Sequence, residues 1–218
     1  MNRRHNQFST FPQYKRVEYL QSCTGGQNDV RSYMQVFLNY DLSVDSIVFE
    51  TEHELTDLSR NNLELYSLDG HALNWGYLVS DGYVVRYDSE SDKIEKTHRF
   101  SQEPGFHVWR LECSARELKL LVDGVQVLLI NLSTPLIHQK SWPLTIFGVI
   151  TEESIHYSSW PLNCKKKYFR VWKNDELIYD LIPVLDSTDT PCMFNRTNGC
   201  FLYNMGEDEF VCGSVIET

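Results

Sequence analysis

The chain has 218 residues, 42% of them hydrophobic, which is enough to build a core without disulfides or metals. Its 30 acidic and 20 basic residues give a formal charge of −10, which argues against nucleic-acid binding and against attraction to an anionic membrane. No run approaches the roughly 18 apolar residues of a membrane span, and the basic start at residues 1–7 lacks the apolar stretch of a secretory signal. We therefore expect no membrane insertion and no secretory leader.

The polar, irregular residues 1–13 predict a flexible or partner-docking N-terminal arm. After it, short apolar alternations follow one another, and no window has the apolar period of a helix. The predicted strands cover residues 33–39, 46–55, 61–66, 73–80, 83–87, 106–113, 117–122, 125–130, 144–150, 168–173, 176–182 and 200–203. This spacing predicts an all-β fold, an antiparallel β-sandwich or barrel, as one domain over residues 14–218.

Three Asp-Gly pairs, Asp69-Gly70, Asp81-Gly82 and Asp123-Gly124, supply the positive φ angles of tight hairpin turns. The best-defined hairpin spans residues 117–130 around Asp123-Gly124. Pro183 is expected to end a strand because it cannot donate a ladder hydrogen bond.

Two further assignments concern large or charged side chains on strands. Trp109 and Trp172 alternate with polar residues beside other apolar side chains, so both are predicted to lie in the core. The cluster Lys165-Lys166-Lys167 precedes an apolar run and is interpreted as a charged strand end that discourages edge pairing.

The six cysteines have no spacing typical of a zinc site. Cys113, within an apolar strand, is expected to be a buried thiol. A disulfide among Cys192, Cys200 and Cys212 is conceivable from their proximity in sequence, but reduced thiols are favoured in a chain without a signal peptide.

Several segments together resemble one family. YKRVEYLQS at residues 14–22 resembles its opening, HVWRL through LVDGV at 107–125 its Trp and Asp-Gly hairpin, and YFRVWKNDEL at 168–177 a characteristic strand and turn. DLIPV at 180–184 and NGCFLYNMGEDEF at 198–210 follow in the same order. The family is that of concanavalin-A-like, laminin-G-like jelly-roll modules found in phage tail, fibre and decoration proteins and in gut bacterial surface proteins.

The resemblance implies a non-enzymatic structural or adhesion protein of a bacteriophage virion, assembled in the host cytoplasm. Its partners would be other virion proteins and a host surface glycan, and the chain would form a homo-oligomer, with a trimer as one form. A free bacterial carbohydrate-binding lectin is the first alternative, and a glycoside hydrolase the second.

The hydrolase alternative rests on Glu50, Glu52 and Glu54, which project from one face of a predicted strand. Paired carboxylates are the chemistry of glycosidases, but the Glu-x-Asp-x-x-Glu pattern of such enzymes on this fold is absent. A solvated strand face is therefore the favoured interpretation, and no catalytic residue is assigned.

Glycan binding would use aromatic rings, whose faces stack on the apolar C–H patches of sugars. Tyr157 and Trp160 in the long loop are the first candidates, and Trp75 and Tyr77 are the next. Calcium is conceivable for a laminin-G-like module, but the scattered aspartates form no recognised loop, so neither a metal nor a cofactor is assigned.

Overall fold

The computed structural model describes residues 13–22, 32–39, 44–68, 71–88, 95–132, 144–148 and 163–217. These residues form β-strands and no helix, so no described segment could cross a membrane as a helix. The strands are β1 (Lys15–Val17), β2 (Leu20–Gln21), β3 (Met34–Val36), β4 (Ile47–Leu55), β5 (Asn62–Leu68), β6 (His71–Leu78), β7 (Gly82–Asp88), β8 (Glu95–Phe100), β9 (His107–Ser114), β10 (Glu117–Val122), β11 (Val125–Asn131), β12 (Leu144–Ile146), β13 (Cys164–Lys173), β14 (Glu176–Leu185), β15 (Pro191–Asn195), β16 (Cys200–Leu202), β17 (Val211–Cys212) and β18 (Val215–Glu217).

The strands form two packed layers. The larger layer is a 12-stranded sheet with the main order β11-β10-β9-β4-β13-β14-β1-β18, and β2, β15, β16 and β17 pair alongside it. The opposite layer contains the sheet β5-β6-β7-β8 and the pair β12-β3. Paired strands are antiparallel throughout the described residues. The predicted antiparallel β-sandwich is confirmed.

Period-two alternation explains how the layers meet. Along β4 every second residue from Ile47 to His53 is buried, and the residues between them lie on the outer face. Aromatic rings join the layers, with Phe49 against Trp75 (ring centroids 5.9 Å apart) and Trp109 against Tyr83 (6.0 Å). The predicted core position of Trp109 is confirmed.

Two-residue turns connect the central hairpins. Asp123 and Gly124 have φ angles of 51° and 77° between β10 and β11, as their sequence predicts. Asn174 and Asp175 do the same between β13 and β14, with φ angles of 49° and 68°. Leu68 pairs with His71 across the predicted turn at residues 69–70, which lies outside the described residues.

Two sequence predictions about where strands begin and end are wrong. Pro183 lies inside β14, between Leu181, the last residue paired with β13, and Val184, the first paired with β1, so one strand edge has no partner residue there. The lysine cluster belongs to β13 itself, and the side chain of Lys166 is fully buried between the layers, since the strand begins at Cys164 rather than at Tyr168.

The N-terminal arm predicted for residues 1–13 lies outside the described residues, apart from Gln13, and stays a prediction.

Candidate functional site

The outer face of the large sheet carries a row of alternating charges across four neighbouring strands. Arg110 on β9 stands opposite Glu50 on β4, Glu50 stands opposite Arg170 on β13, and Arg170 stands opposite Asp180 on β14. Antiparallel register alone therefore places four charged side chains side by side. We call Arg110, Glu50, Arg170 and Asp180 the outer-face row.

Hydrogen bonds join each member of the outer-face row to the next. The Nη1 atom of Arg110 lies 3.0 Å from Oε2 of Glu50, and Nη1 of Arg170 lies 3.3 Å from Oε1 of the same carboxylate. The Nε atom of Arg170 donates to Oδ1 of Asp180 at 3.0 Å. Glu50 and Asp180 are only 15% and 10% exposed, so these pairs are screened less than surface ion pairs.

Further charged side chains extend the row beyond Arg110 on one side and beyond Asp180 on the other. Glu112 accepts hydrogen bonds from Nε of Arg110 at 3.0 Å and from Nζ of Lys119 at 2.9 Å. At the other end Arg196 donates to Asp180, with Nε 2.8 Å from Oδ2. The arginine side chains are thus held in place, yet these bonds occupy only part of the donors on each guanidinium.

These contacts set the charge state of the outer face. Partial burial alone would lower the pKa of Arg110, but its hydrogen bonds to Glu112 and Glu50 raise it. Burial alone would likewise raise the pKa of Glu112, yet Lys119 and Arg110 hold it below its usual value. Arg110 and Glu112 therefore keep their charges around neutral pH, and the row offers fixed donors and acceptors.

Two aromatic rings flank the outer-face row on β13. The guanidinium of Arg110 lies 5.1 Å from the centroid of the Trp172 ring, and that of Arg170 lies 4.4 Å from the centroid of the Tyr168 ring. The hydroxyl of Tyr168 donates to Oε1 of Glu50 at 3.3 Å. Burial, followed by the nearby charge of Glu50, raises the pKa of Tyr168, so its hydroxyl stays a donor.

Trp172 is partly exposed on the outer face, so its predicted core position is wrong. Its neighbours Phe169 and Val171 point inward, and a bulge in the β13–β14 pairing falls between Val171 and Trp172. We call Trp172 with its neighbour Arg110 the Trp172 end of the face.

A second cluster of aromatic and charged side chains lies at the other end of the same face. The Tyr19 and Phe106 rings have centroids 6.4 Å apart. Nζ of Lys167 lies 4.3 Å from the Phe106 centroid, and Nζ of Lys165 lies 5.1 Å from the Tyr19 centroid. We call Tyr19 and Phe106, with these two lysines, the Tyr19 end.

The predicted acidic strand face contributes to both ends. The Glu50, Glu52 and Glu54 side chains lie on the outer face, each against a cation: Glu50 beside Arg110 and Arg170, Glu52 2.5 Å from Nζ of Lys167, and Glu54 3.3 Å from Nζ of Lys165. The carboxylates therefore act as hydrogen-bond acceptors in a paired network.

Two of the four glycan-binding candidates from the sequence, Trp75 and Tyr77, lie within the described residues. Trp75 is 2% exposed and packs in the core against Phe49, so its faces are turned away from any external ligand. Tyr77 is partly buried and packs edge-on against Tyr83. Tyr157 and Trp160 lie outside the described residues, and their role stays a prediction.

Side chains that could ligate a metal, and cysteine thiols, occur in the described part of the chain. No group of three or more His, Cys, Asp or Glu side chains there could hold a metal ion. Cys192, Cys200 and Cys212 are free thiols, as is Cys113. Burial raises the pKa of Cys113, and its predicted burial is confirmed.

No model of a known protein family matches the chain, and no curated protein matches its sequence. Solved structures do match its fold. A candidate carbohydrate-binding protein from Bacteroides ovatus has a TM-score of 0.60 at 10% identity, over 92% of this chain and 60% of that one. Domains LG4-5 of the mouse laminin alpha1 chain have a TM-score of 0.51 at 13% identity, over 88% and 49%. The Caenorhabditis elegans galectin LEC-6 has a TM-score of 0.42 at 12% identity, over 67% and 94%.

These likenesses concern architecture. The first two superpositions establish that the chain shares the β-sandwich fold of the Bacteroides protein and of the laminin LG4-5 domains. The chain spans about 60% of the length of the Bacteroides protein. Identities of 10% and 13% do not identify corresponding site residues.

Proposed function

We propose that the chain is a non-enzymatic carbohydrate-binding module whose binding surface is the outer face of the large sheet around Trp172. The observation that carries the proposal is the combination of a partly exposed indole with the fixed charges of the outer-face row. Sugar rings present apolar C–H patches to an aromatic face and hydroxyls to polar side chains. Hydroxyls both donate and accept, and an alternation of guanidinium and carboxylate groups satisfies both demands.

The fold adds support from a separate direction. The Bacteroides ovatus structure with the same architecture is described as that of a candidate carbohydrate-binding protein. The outer-face row is also preorganised, because each arginine is held by carboxylates before any ligand arrives. Preorganisation lowers the entropic cost of ordering side chains on binding.

A glycan array followed by titration calorimetry tests the proposal. The wild-type chain should bind a subset of neutral glycans, and Trp172→Ala should reduce affinity at least about tenfold, the loss of roughly one aromatic contact of about 1.5 kcal/mol. Phe37→Ala is the matched control, since Phe37 is an exposed aromatic residue (71%) that belongs to neither end of the face.

An array without any bound glycan would overturn the proposal, and so would a Trp172→Ala variant that binds as tightly as the wild type. Circular dichroism of each variant establishes that lost affinity does not reflect lost folding.

The carboxylates of the same face bear on the hydrolase alternative. Glu50, Glu52 and Glu54 each contact a lysine or arginine side chain. We therefore propose that they orient these side chains and the hydroxyls of the ligand, and do not cleave a glycosidic bond. A screen of polysaccharides should release no reducing sugar. Hydrolysis that is lost in Glu52→Gln would contradict this proposal.

A glycan-binding face would serve a virion adhesion protein and a free bacterial lectin equally well. We retain the virion role as a proposal that rests on the motif resemblance. The motifs that carry it fall on β1, β2 and β9 to β11, and on the chain from β13 to β16. Mass spectrometry of purified particles tests it, and absence of the chain from every particle would favour the lectin.

A further inference from the structure

The two aromatic ends of the outer face are far apart along the same strand. Lys167, above the Phe106 ring, and Trp172 are five positions apart on β13. At about 3.3 Å per residue, the Trp172 and Tyr19 ends are therefore about 17 Å apart, several times the width of one pyranose ring.

The surface between the two ends is polar. Glu50 and Arg170 of the outer-face row lie there, together with the Tyr168 hydroxyl and the Glu52 carboxylate. In each of these, donors or acceptors remain beyond the bonds already made within the face. A ligand that reached from one end to the other would meet hydrogen-bonding groups along its whole length.

Backbone hydrogen bonds to residues 213–214 hold the chain in place at the Tyr19 end. The N–H of Glu18 donates to the carbonyl of Ser214 at 2.9 Å, and the N–H of Gly213 donates to the carbonyl of Tyr19 at 3.0 Å. A Cβ atom on Gly213 would lie 2.8 Å from Cε1 of Tyr19, so only glycine lets the chain pass this close to the ring. Both Tyr19 and Phe106 nevertheless stay partly exposed.

We infer that the outer face binds an extended oligosaccharide of about four sugar units, laid along β13 with one sugar at the Trp172 end and another at the Tyr19 end, about 17 Å away. This rests on the proposed function and adds the ligand class: an internal stretch of a glycan chain rather than a single terminal sugar. Affinity then depends on chain length, because a short ligand reaches one end only.

Calorimetry on the full chain with cello-, malto-, xylo- and chito-oligosaccharides, from disaccharide to hexasaccharide, tests the inference. In the series that binds, affinity should rise about fivefold to tenfold from disaccharide to tetrasaccharide and then level off. Phe106→Ala and Tyr19→Ala should each bring the tetrasaccharide affinity down to that of the wild-type chain for the disaccharide. Trp172→Ala should weaken every length, and Phe37→Ala none.

Each other outcome has a definite meaning. Equal affinity for all ligand lengths would overturn the extended site and leave the proposed function standing. A length dependence that persists in both Phe106→Ala and Tyr19→Ala would have the same two consequences. Binding of other array glycans but none of the four series has the same consequence. A blank array removes the proposed function and the inference together. Phe106 lies just before β9, so its variant keeps the test open if Tyr19→Ala fails to fold.

Discussion

The two faces of β13 use the same residue type for opposite purposes. Lys165 and Lys167 extend over the outer face, where each meets a carboxylate and an aromatic ring. Lys166, between them, is buried in the sandwich, with its Nζ atom 3.4 Å from Oγ1 of Thr51 and 5.7 Å from the Phe169 ring centroid. Position on the strand, rather than charge, decides which lysine can meet a ligand.

The polar groups of the two faces also differ in their partners. On the outer face, charged groups pair with one another and keep contact with water, so a ligand can share their hydrogen bonds. On the inner face, His53 is fully buried against Trp109 (ring centroids 4.6 Å apart), and neither ring nitrogen has a hydrogen-bond partner among the described residues. Changes on the outer face should therefore alter binding, and changes on the inner face should alter stability.

The two tryptophans give the largest expected contrast. Trp109→Ala removes a buried ring and leaves a cavity, so it should lower the free energy of unfolding by about 3–5 kcal/mol. Trp172→Ala loses a partly exposed ring under Arg110 and should cost only about 1 kcal/mol. Urea unfolding measures both changes.

Glycan affinity should respond in the opposite order, with Trp172→Ala impaired and folded Trp109→Ala close to wild type. Equal destabilisation by the two variants would mean that Trp172 packs as a core residue after all.

The next contrast is pH dependence. Burial, followed by the charges of Lys166 and His107, lowers the pKa of His53 well below 6.5, so the folded chain keeps this ring neutral. Below pH 6.5 the His53 side chain of the unfolded state binds a proton that the folded state does not bind. The free energy of unfolding should therefore decrease as the pH is lowered below 6.5, by at most about 1.4 kcal/mol per pH unit. Above pH 6.5 the contribution is constant.

Chemical unfolding between about pH 5 and pH 7.5 isolates this effect, since unperturbed carboxylates titrate nearer pH 4. His53→Met should flatten the slope in this window, because it removes the buried imidazole. A slope in His53→Met equal to that of the wild type would assign the acid sensitivity to another group.

Much of the fold is predictable because local signals decide it. Alternation along β4 and β9 assigns the buried face, and Asp123-Gly124 specifies its turn through the φ angles that both residues adopt. The start of β13 escaped prediction because three consecutive lysines indicate a solvated segment, although the middle one is buried by tertiary packing.

The candidate site is less predictable because register brings it together. Arg110 and Glu50 are 60 residues apart in sequence and become neighbours only through the pairing of β4 with β9. Arg170 joins them through the separate pairing of β4 with β13. For Trp172 a local signal did exist: the inward alternation of Phe169 and Val171 makes Arg170 and Trp172 outward-facing, but its aromatic character favoured the core interpretation.

The smallest expected effect concerns the Tyr19 end alone. Gly213→Ala places a Cβ atom 2.8 Å from the Tyr19 ring and 3.0 Å from Cβ of Glu18, so the ring must shift. Because the crowding is confined to this end, affinity for a tetrasaccharide should fall about threefold to fivefold, the loss of part of one aromatic contact, with disaccharide affinity unchanged. Ser214→Ala is the control, since alanine keeps the backbone carbonyl that accepts the hydrogen bond from the N–H of Glu18. Calorimetry with both ligand lengths tests this prediction. An equal loss of affinity for disaccharide and tetrasaccharide would contradict it, because the substitution at the Tyr19 end would then also alter binding at the Trp172 end.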